Sequence, residues 1–429
     1  MAMAGFYRNQ GQLWVDGTPL AAVAEAFDSP CYVYSAAKMA ASYQAIATVF
    51  SGPNRHIHYA MKANSNLAVL KLFHRLGANV DLVSIGEYHR ALAAGFTPDQ
   101  MVFSGVGKTE AELREAIIGG IGQINAESAA EVDSIITLAK ETGMMPSVAL
   151  RINPDVAAGG HAKISTGGSD TKFGIPGSEA EAIYRRMTDS QVIRPSGLAV
   201  HIGSQIMDFS SFAAAWQYMR DLADHLKTIG CPVPNLDLGG GIGVDYSDGS
   251  TADLVEFAAI VEGIFGTSDY HLAIEPGRLL VAEAGCLLTR VINVKSGKDK
   301  RFIVVDGAMN DLIRPTLYES FHRIEAVGEH PADPIPADIV GPVCETGDYL
   351  GLGRDMPSLK TGDVVAVMSA GAYGAVMRSN YNSRPLANEV MVVNGTPHLI
   401  SKPQRISDLL AADIIPTAIA DFPASAPQE

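Results

Sequence analysis

Lys62 sits in YAMKAN, directly after the apolar run IHYAM of residues 57–61. A lysine leaving a buried segment is desolvated. Desolvation lowers an amine's pKa, and an uncharged amine can condense with an aldehyde to a Schiff base. Glu275 ends another apolar run, HLAIEPG, and Arg278 follows it after Pro276 and Gly277. A carboxylate so placed can face a ring nitrogen and keep an aromatic electron sink protonated. His201 and Ser204 close GLAVHIGS, where an imidazole can stack on such a ring. Gly239, Gly240 and Gly241 end NLDLGGG, and glycines there let backbone N–H groups approach a phosphate. Each has an ordinary explanation alone: a solvated lysine, an ion-paired carboxylate, a packed histidine, a turn. Their shared position at the ends of apolar runs points to a site.

Such residues converge only if the runs are strands of one parallel barrel, whose chemistry sits at the strands' C-terminal ends. Eight runs qualify: 57–61, 79–83, 101–105, 122–126, 147–152, 197–203, 235–241 and 271–277. Between several lie helical patterns such as SNLAVLKLFHRLG, EYHRALAAG, TEAELREAIIGG and SAAEVDSIITLAKETG. The runs are apolar nearly throughout, as strands covered on both faces must be. This predicts an α/β fold, a (β/α)₈ TIM-type barrel over residues 31–280. From about 281 the texture changes to LLTRVINVKS, RFIVVDG, ADIVGPVC, DVVAVMSAG and NEVMVVNG. These β-rich runs predict a β-barrel or sandwich domain of residues 281–429 that also takes up residues 1–30, through QLWVDGTPL.

The chain has 429 residues, enough for a barrel of roughly 250 residues and a second domain. A formal net charge of −15 argues against nucleic acid or an anionic membrane as partner. The four cysteines, Cys31, Cys231, Cys286 and Cys344, form no CxxC pair and suit a reducing cytoplasm. No run of about 18 apolar residues suggests a membrane span, and MAMAGFYRNQGQ lacks the apolar stretch of a signal peptide. The end, ADFPASAPQE, has the composition of a fraying tail. GVGKT (105–109) ends like a phosphate-binding loop but has Val102 where the first glycine belongs, and GGGIGVDY lacks the last glycine of GxGxxG. His56 and His58 share a strand face without a third ligand at metal spacing, so no metal is expected.

YAMKAN, HIGSQI, LDLGGGIGV, EPGR, DGAMNDLIRPTLY, GPVCETGD and GAYG resemble the motifs of the diaminopimelate decarboxylase family from about residue 5 to 410. The resemblance implies a pyridoxal 5'-phosphate enzyme that converts meso-2,6-diaminopimelate to L-lysine and CO₂. It implies that Lys62 carries the cofactor as a Schiff base, His201 stacks on its ring and Glu275 pairs with its nitrogen. Ser204, Gly240, Gly241 and the turn Glu275-Pro276-Gly277-Arg278 would surround the phosphate end, with Tyr373 near. Arg278, Arg314 and Tyr318 would hold the far carboxylate of the substrate, with Tyr373 beside it, and Glu345 its far ammonium. Cys344 would be the acid that returns a proton. In this family Cys344 and Glu345 enter from a second subunit, which implies a homodimer with shared active sites. PDVAAGGHAKISTGGSDTKFG (154–174) matches the family's mobile loop, and its small residues suit a lid. An ornithine, arginine or lysine decarboxylase is the alternative, but its substrates give Arg314 nothing to bind. An alanine racemase relative needs a base on each cofactor face and lacks CETGD. A silent vitamin-B6 binder has no use for Lys62, Glu275 and Cys344 together.

Overall fold

The computed structural model describes residues 4–156, 171–297, 300–330 and 334–420. Its barrel strands are β1 (Arg55–Ala60), β2 (Asn79–Leu82), β3 (Met101–Phe103) and β4 (Gln123–Ala126), then β5 (Ser147–Asn153), β6 (Arg194–Val200), β7 (Asn235–Asp237) and β8 (His271–Ile274). Each pairs in parallel with the next, and β8 returns to β1 through Leu272↔Arg55 and Ile274↔Ile57, closing the ring. Because all run the same way, their C-terminal ends form one rim.

The connecting helices follow from local sequence. Leu67–Leu76 buries Val69, Leu70 and Phe73 on one stripe. Asn66 caps it by accepting from the Ala68 N–H, and Gly77 ends it at φ 90°, where a glycine is unstrained. Glu110–Ile118 starts with a reciprocal capping box between Thr109 and Glu112. Packed between these helices, the strands bury tightly: Val80, Leu82, Phe103, Ile124, Leu150 and Leu198 are fully inaccessible.

The second sheet runs Tyr349–Met356, Ile335–Val340, Arg301–Val305, Gly285–Ser296, Cys31–Ser35, Asn388–Val393, Thr396–Leu399. Cys31–Ser35 therefore does not belong to the barrel, although the sequence reading began the barrel at residue 31. It pairs antiparallel with Gly285–Ser296 and parallel with Asn388–Val393, and all five residues are buried. A short apolar run followed by a helix (Ala36–Val49) looks like a barrel repeat, and only pairing partners distant in the chain separate the two. The N-terminal strands Phe6–Asn9, Gln12–Val15 and Thr18–Pro19 form a small sheet of their own. They join the second region by packing: Leu13 and Val15 share a core with Cys286, Leu288, Val390 and Val392, and the Leu13 N–H donates to Val327 O at 2.9 Å.

The lysine of GVGKT is structural. Lys108 Nζ donates to Gly105 O (2.6 Å) and Asn125 O (2.9 Å) and pairs with Glu131 at 2.7 Å, locking the connection after β3. Residues 157–170, most of the stretch expected to act as a lid, and the tail from 421 lie outside the described residues. Among the described residues no helix is long and apolar enough to cross a membrane, and all four cysteines are free thiols.

Candidate active site

Lys62 lies in one 3₁₀ turn, Met61–Ala63, immediately after β1. Its side chain is 36 % exposed and Nζ stands 3.5 Å from Asp81 Oδ2 at the end of β2, so the amine reaches the rim beside a carboxylate. Burial pulls the Lys62 ammonium down. The charge of Asp81, then Tyr373 and Glu275, outweighs it, and the net direction is up. The lowered value expected from desolvation alone is thus corrected: neighbouring acids dominate and hold the amine charged. Asp81 is buried and its Oδ1 has no donor among the described residues.

Glu275, just past β8, and Asp237, the last residue of β7, form a buried carboxyl pair linked by a hydrogen bond. Asp237 Oδ1 accepts from the Gly239 N–H at 3.0 Å, while among the described residues Oδ2 has no donor unless the Glu275 carboxyl carries the proton. Burial pushes Asp237 up to about 6, against the pull of the Gly239 N–H. Burial and the charge of Asp237 push Glu275 well up. One proton held between them satisfies both, since two carboxylates in contact cannot both ionise cheaply.

His201 follows β6 and accepts at Nδ1 from the Gly240 N–H, 3.2 Å away. Burial, then Lys62 and Arg151, drive its pKa far down, so the ring is a neutral, flat face on the cavity wall. The glycine run is required by close approach. A Cβ on Gly239 would lie 2.1 Å from Val200 O, on Gly240 2.1 Å from Glu275 O, and on Gly241 2.3 Å from Gly203 O. The three residues thread between the ends of β6 and β8, and Gly241 reaches the cavity.

A cavity of about 510 Å³ opens between this rim and the second region. Lys62, His201, Ser204, Glu275, Gly277 and Arg278 line it from the barrel; Arg314, Tyr318 and Tyr373 line it from beyond residue 300. A second cavity of about 450 Å³ shares Lys62, His201 and Glu275, so these three stand where the two spaces meet. Gly240 and Pro276 support the wall without lining it; Pro276 O accepts from the Ala60 N–H at 3.2 Å. Tyr373 arrives on a backbone with φ 55°, its N–H donating to Ala63 O at 2.8 Å. Cys344 and Glu345 are exposed on the turn between Ile335–Val340 and Tyr349–Met356, and neither lines the cavity of its own chain.

Two buried arginines dominate the field. Arg278 donates through Nη2 to Ser204 Oγ at 3.1 Å and through Nη1 to Tyr246 Oη, and its Nε has no partner among the described residues. Arg314 donates through Nε to His322 Nε2 (3.4 Å) and through Nη2 to Ser320 Oγ (3.3 Å). Burial, then the nearby Arg278 with opposing help from Tyr246, lowers the Arg314 pKa. Neither forms an ion pair with a carboxylate among the described residues. An anion entering the cavity would supply what both lack.

Sequence reasoning passed over Asp81, Asp237 and Tyr246. The two aspartates did leave a signal: each is an acid inside an apolar strand run, NVDLV and NLDLGGG. Tyr246 carried none beyond its nearness to the glycines.

An amine at Lys62, a carboxyl at Glu275, a flat imidazole and an arginine with an unpartnered donor fit an aldehyde-bearing, phosphorylated pyridine. Barrel and site define a pyridoxal-phosphate enzyme. A family model for pyridoxal-dependent decarboxylases, covering their pyridoxal-binding domain, matches residues 36–282. The chain belongs to these decarboxylases and, within them, to the diaminopimelate decarboxylase family. It is 42% identical over 413 residues to the diaminopimelate decarboxylase of Zymomonas mobilis, covering 95% of this chain and 98% of that one. With that of Pseudomonas aeruginosa it shares 43% over 411 residues, 96% and 99% of the two chains. The crystal structure of diaminopimelate decarboxylase from Helicobacter pylori complexed with L-lysine superposes with a TM-score of 0.88 at 37% identity, covering 92% of this chain and 98% of that one. Bound in such a site, pyridoxal phosphate supplies an aldehyde that condenses with amines and a protonated ring that takes up the electrons left by departing CO₂.

Proposed function

We propose that this enzyme decarboxylates meso-2,6-diaminopimelate to L-lysine and CO₂, the last step of lysine synthesis, as a cytoplasmic homodimer with shared active sites. The observation that carries the substrate is the pair Arg278 and Arg314, buried on the cavity that holds Lys62 and without a carboxylate partner among the described residues. A substrate with a carboxylate at its far end completes both guanidiniums through charge-assisted hydrogen bonds. A diamine or a guanidine there would meet repulsion.

In this reading Lys62 anchors the cofactor, His201 covers its ring and Glu275 faces its nitrogen. Ser204, Gly240, Gly241, Pro276, Gly277, Arg278 and Tyr373 shape the phosphate end. Arg278, Arg314, Tyr318 and Tyr373 hold the substrate's far carboxylate. The partner's Glu345 takes the far ammonium, and the partner's Cys344 returns a proton to the carbon that has lost CO₂. The exposure of Cys344 and Glu345 on their own chain supports a role in a neighbour's site. Four free thiols suit a reducing compartment.

Incubation with meso-diaminopimelate and pyridoxal phosphate should yield L-lysine and CO₂ in equal amounts; no product from a cofactor-loaded protein would refute the substrate. The shared site is tested by mixing inactive Lys62→Ala and Cys344→Ala homodimers. Random exchange makes about half the dimers mixed, each with one intact site, so activity recovers to about a quarter of wild type. Demonstrated exchange without recovery would place each site within one subunit.

A further inference from the structure

The two arginines of the cavity meet on one neutral side chain. Tyr246 is buried on the loop after β7, held by the Asp245 N–H to Ser250 O (2.7 Å) and the Gly249 N–H to Asp245 O (2.8 Å). The Arg278 guanidinium carbon stands 5.7 Å from its ring centre and that of Arg314 5.1 Å. Tyr246 Oη accepts from Arg278 Nη1. His322 packs edge-on against the same ring, centroids 5.0 Å apart, and accepts from Arg314 Nε. The other nitrogen of His322 lies 2.8 Å from Met368 O, which fixes the neutral ring with its proton on that side.

Two guanidiniums brought this close repel each other, and an acid between them would be the simplest remedy. It would also neutralise the charge that an anionic ligand is meant to find. A tyrosine attracts both cations through its ring face and accepts one hydrogen bond, yet adds no negative charge. The positive field is left for the ligand.

We propose that Tyr246 is a positioning residue that sets the separation and direction of Arg278 and Arg314, and so selects ligands bearing a far carboxylate. The proposal rests on the assignment of those arginines to the substrate carboxylate made above.

The test uses cofactor-loaded wild type, Tyr246→Phe and Tyr246→Leu, with cofactor content matched. Two probes are titrated by the cofactor's visible absorbance: L-lysine, which carries the far carboxylate, and 1,5-diaminopentane, which is the same chain without it. Wild type should prefer L-lysine. Leu removes ring and hydroxyl, and should weaken L-lysine about tenfold or more while moving 1,5-diaminopentane by less than about threefold. Phe keeps the ring and should fall between. A general structural defect would weaken both probes alike, and that outcome overturns the proposal. So does a wild-type preference that persists in both variants. If wild type itself shows no preference, both this proposal and the substrate assignment fail, which separates the two cases.

Discussion

Replacing Asp237 by Asn should stabilise the cofactor-free protein while leaving its fold intact. The carboxyl of Asp237 rises from the ordinary 3.8 to about 6 through burial, beside a Glu275 that is itself raised. A rise of this size corresponds to about 3 kcal/mol of folding penalty at neutral pH. The folded chain binds the proton more tightly than the unfolded one, so the penalty is full above about pH 6 and disappears as pH falls toward 4. Asn keeps an oxygen for the Gly239 N–H, 3.0 Å away, and offers Glu275 a neutral donor. Urea unfolding of cofactor-free wild type and variant at pH 8 and pH 5 measures the effect. The variant should be more stable at pH 8, by up to about 3 kcal/mol, and the gap should shrink at pH 5. A variant no more stable at pH 8, or a gap that does not shrink in acid, would refute the buried carboxyl conflict. That the chain retains this conflict is understandable if the ring nitrogen needs negative charge there: stability is given up at functional sites.

Lys62→Ala should fold and dimerise, yet borohydride should no longer fix cofactor to the chain; retained label would reveal another anchoring lysine. Arg314→Ala should lose about 2–4 kcal/mol of transition-state binding, about thirtyfold to nearly a thousandfold in kcat/KM for diaminopimelate, with cofactor affinity little changed. Unaltered efficiency would remove Arg314 from the substrate site. Because Cys31, Cys231 and Cys286 are buried and Cys344 is exposed, iodoacetamide should alkylate one thiol per native chain and inactivate it. L-lysine should protect, and labelling of Cys344 with full activity retained would exclude it as the proton donor.

The barrel was legible because strands covered on both faces write themselves as apolar runs, from IHYAM to HLAIEPG. Cys31–Ser35 was misread because its five buried residues look the same whether they pair with β1 or with Gly285–Ser296. The direction of Lys62's pKa was misjudged because Asp81 lies one strand away, a neighbour only in the closed sheet. Lys62, His201, Glu275 and the glycines could be gathered by the rule that barrel chemistry sits at strand ends. Arg314, Tyr318 and Tyr373 could not, since they reach the cavity from beyond residue 300 by packing alone. Motif resemblance supplied them. Tyr246 was hidden for the same reason: its significance is that two arginines distant in the chain converge on it.

The most direct measurement follows CO₂ release by the cofactor-loaded enzyme from meso-diaminopimelate, L-lysine, L-ornithine and L-arginine side by side. With Arg278 and Arg314 waiting for a far carboxylate, diaminopimelate alone should turn over efficiently, each CO₂ accompanied by one L-lysine. Comparable release from ornithine, arginine or lysine would contradict the account, because each of these, bound with its α-carboxylate at the reacting end, brings no far carboxylate to Arg278 and Arg314.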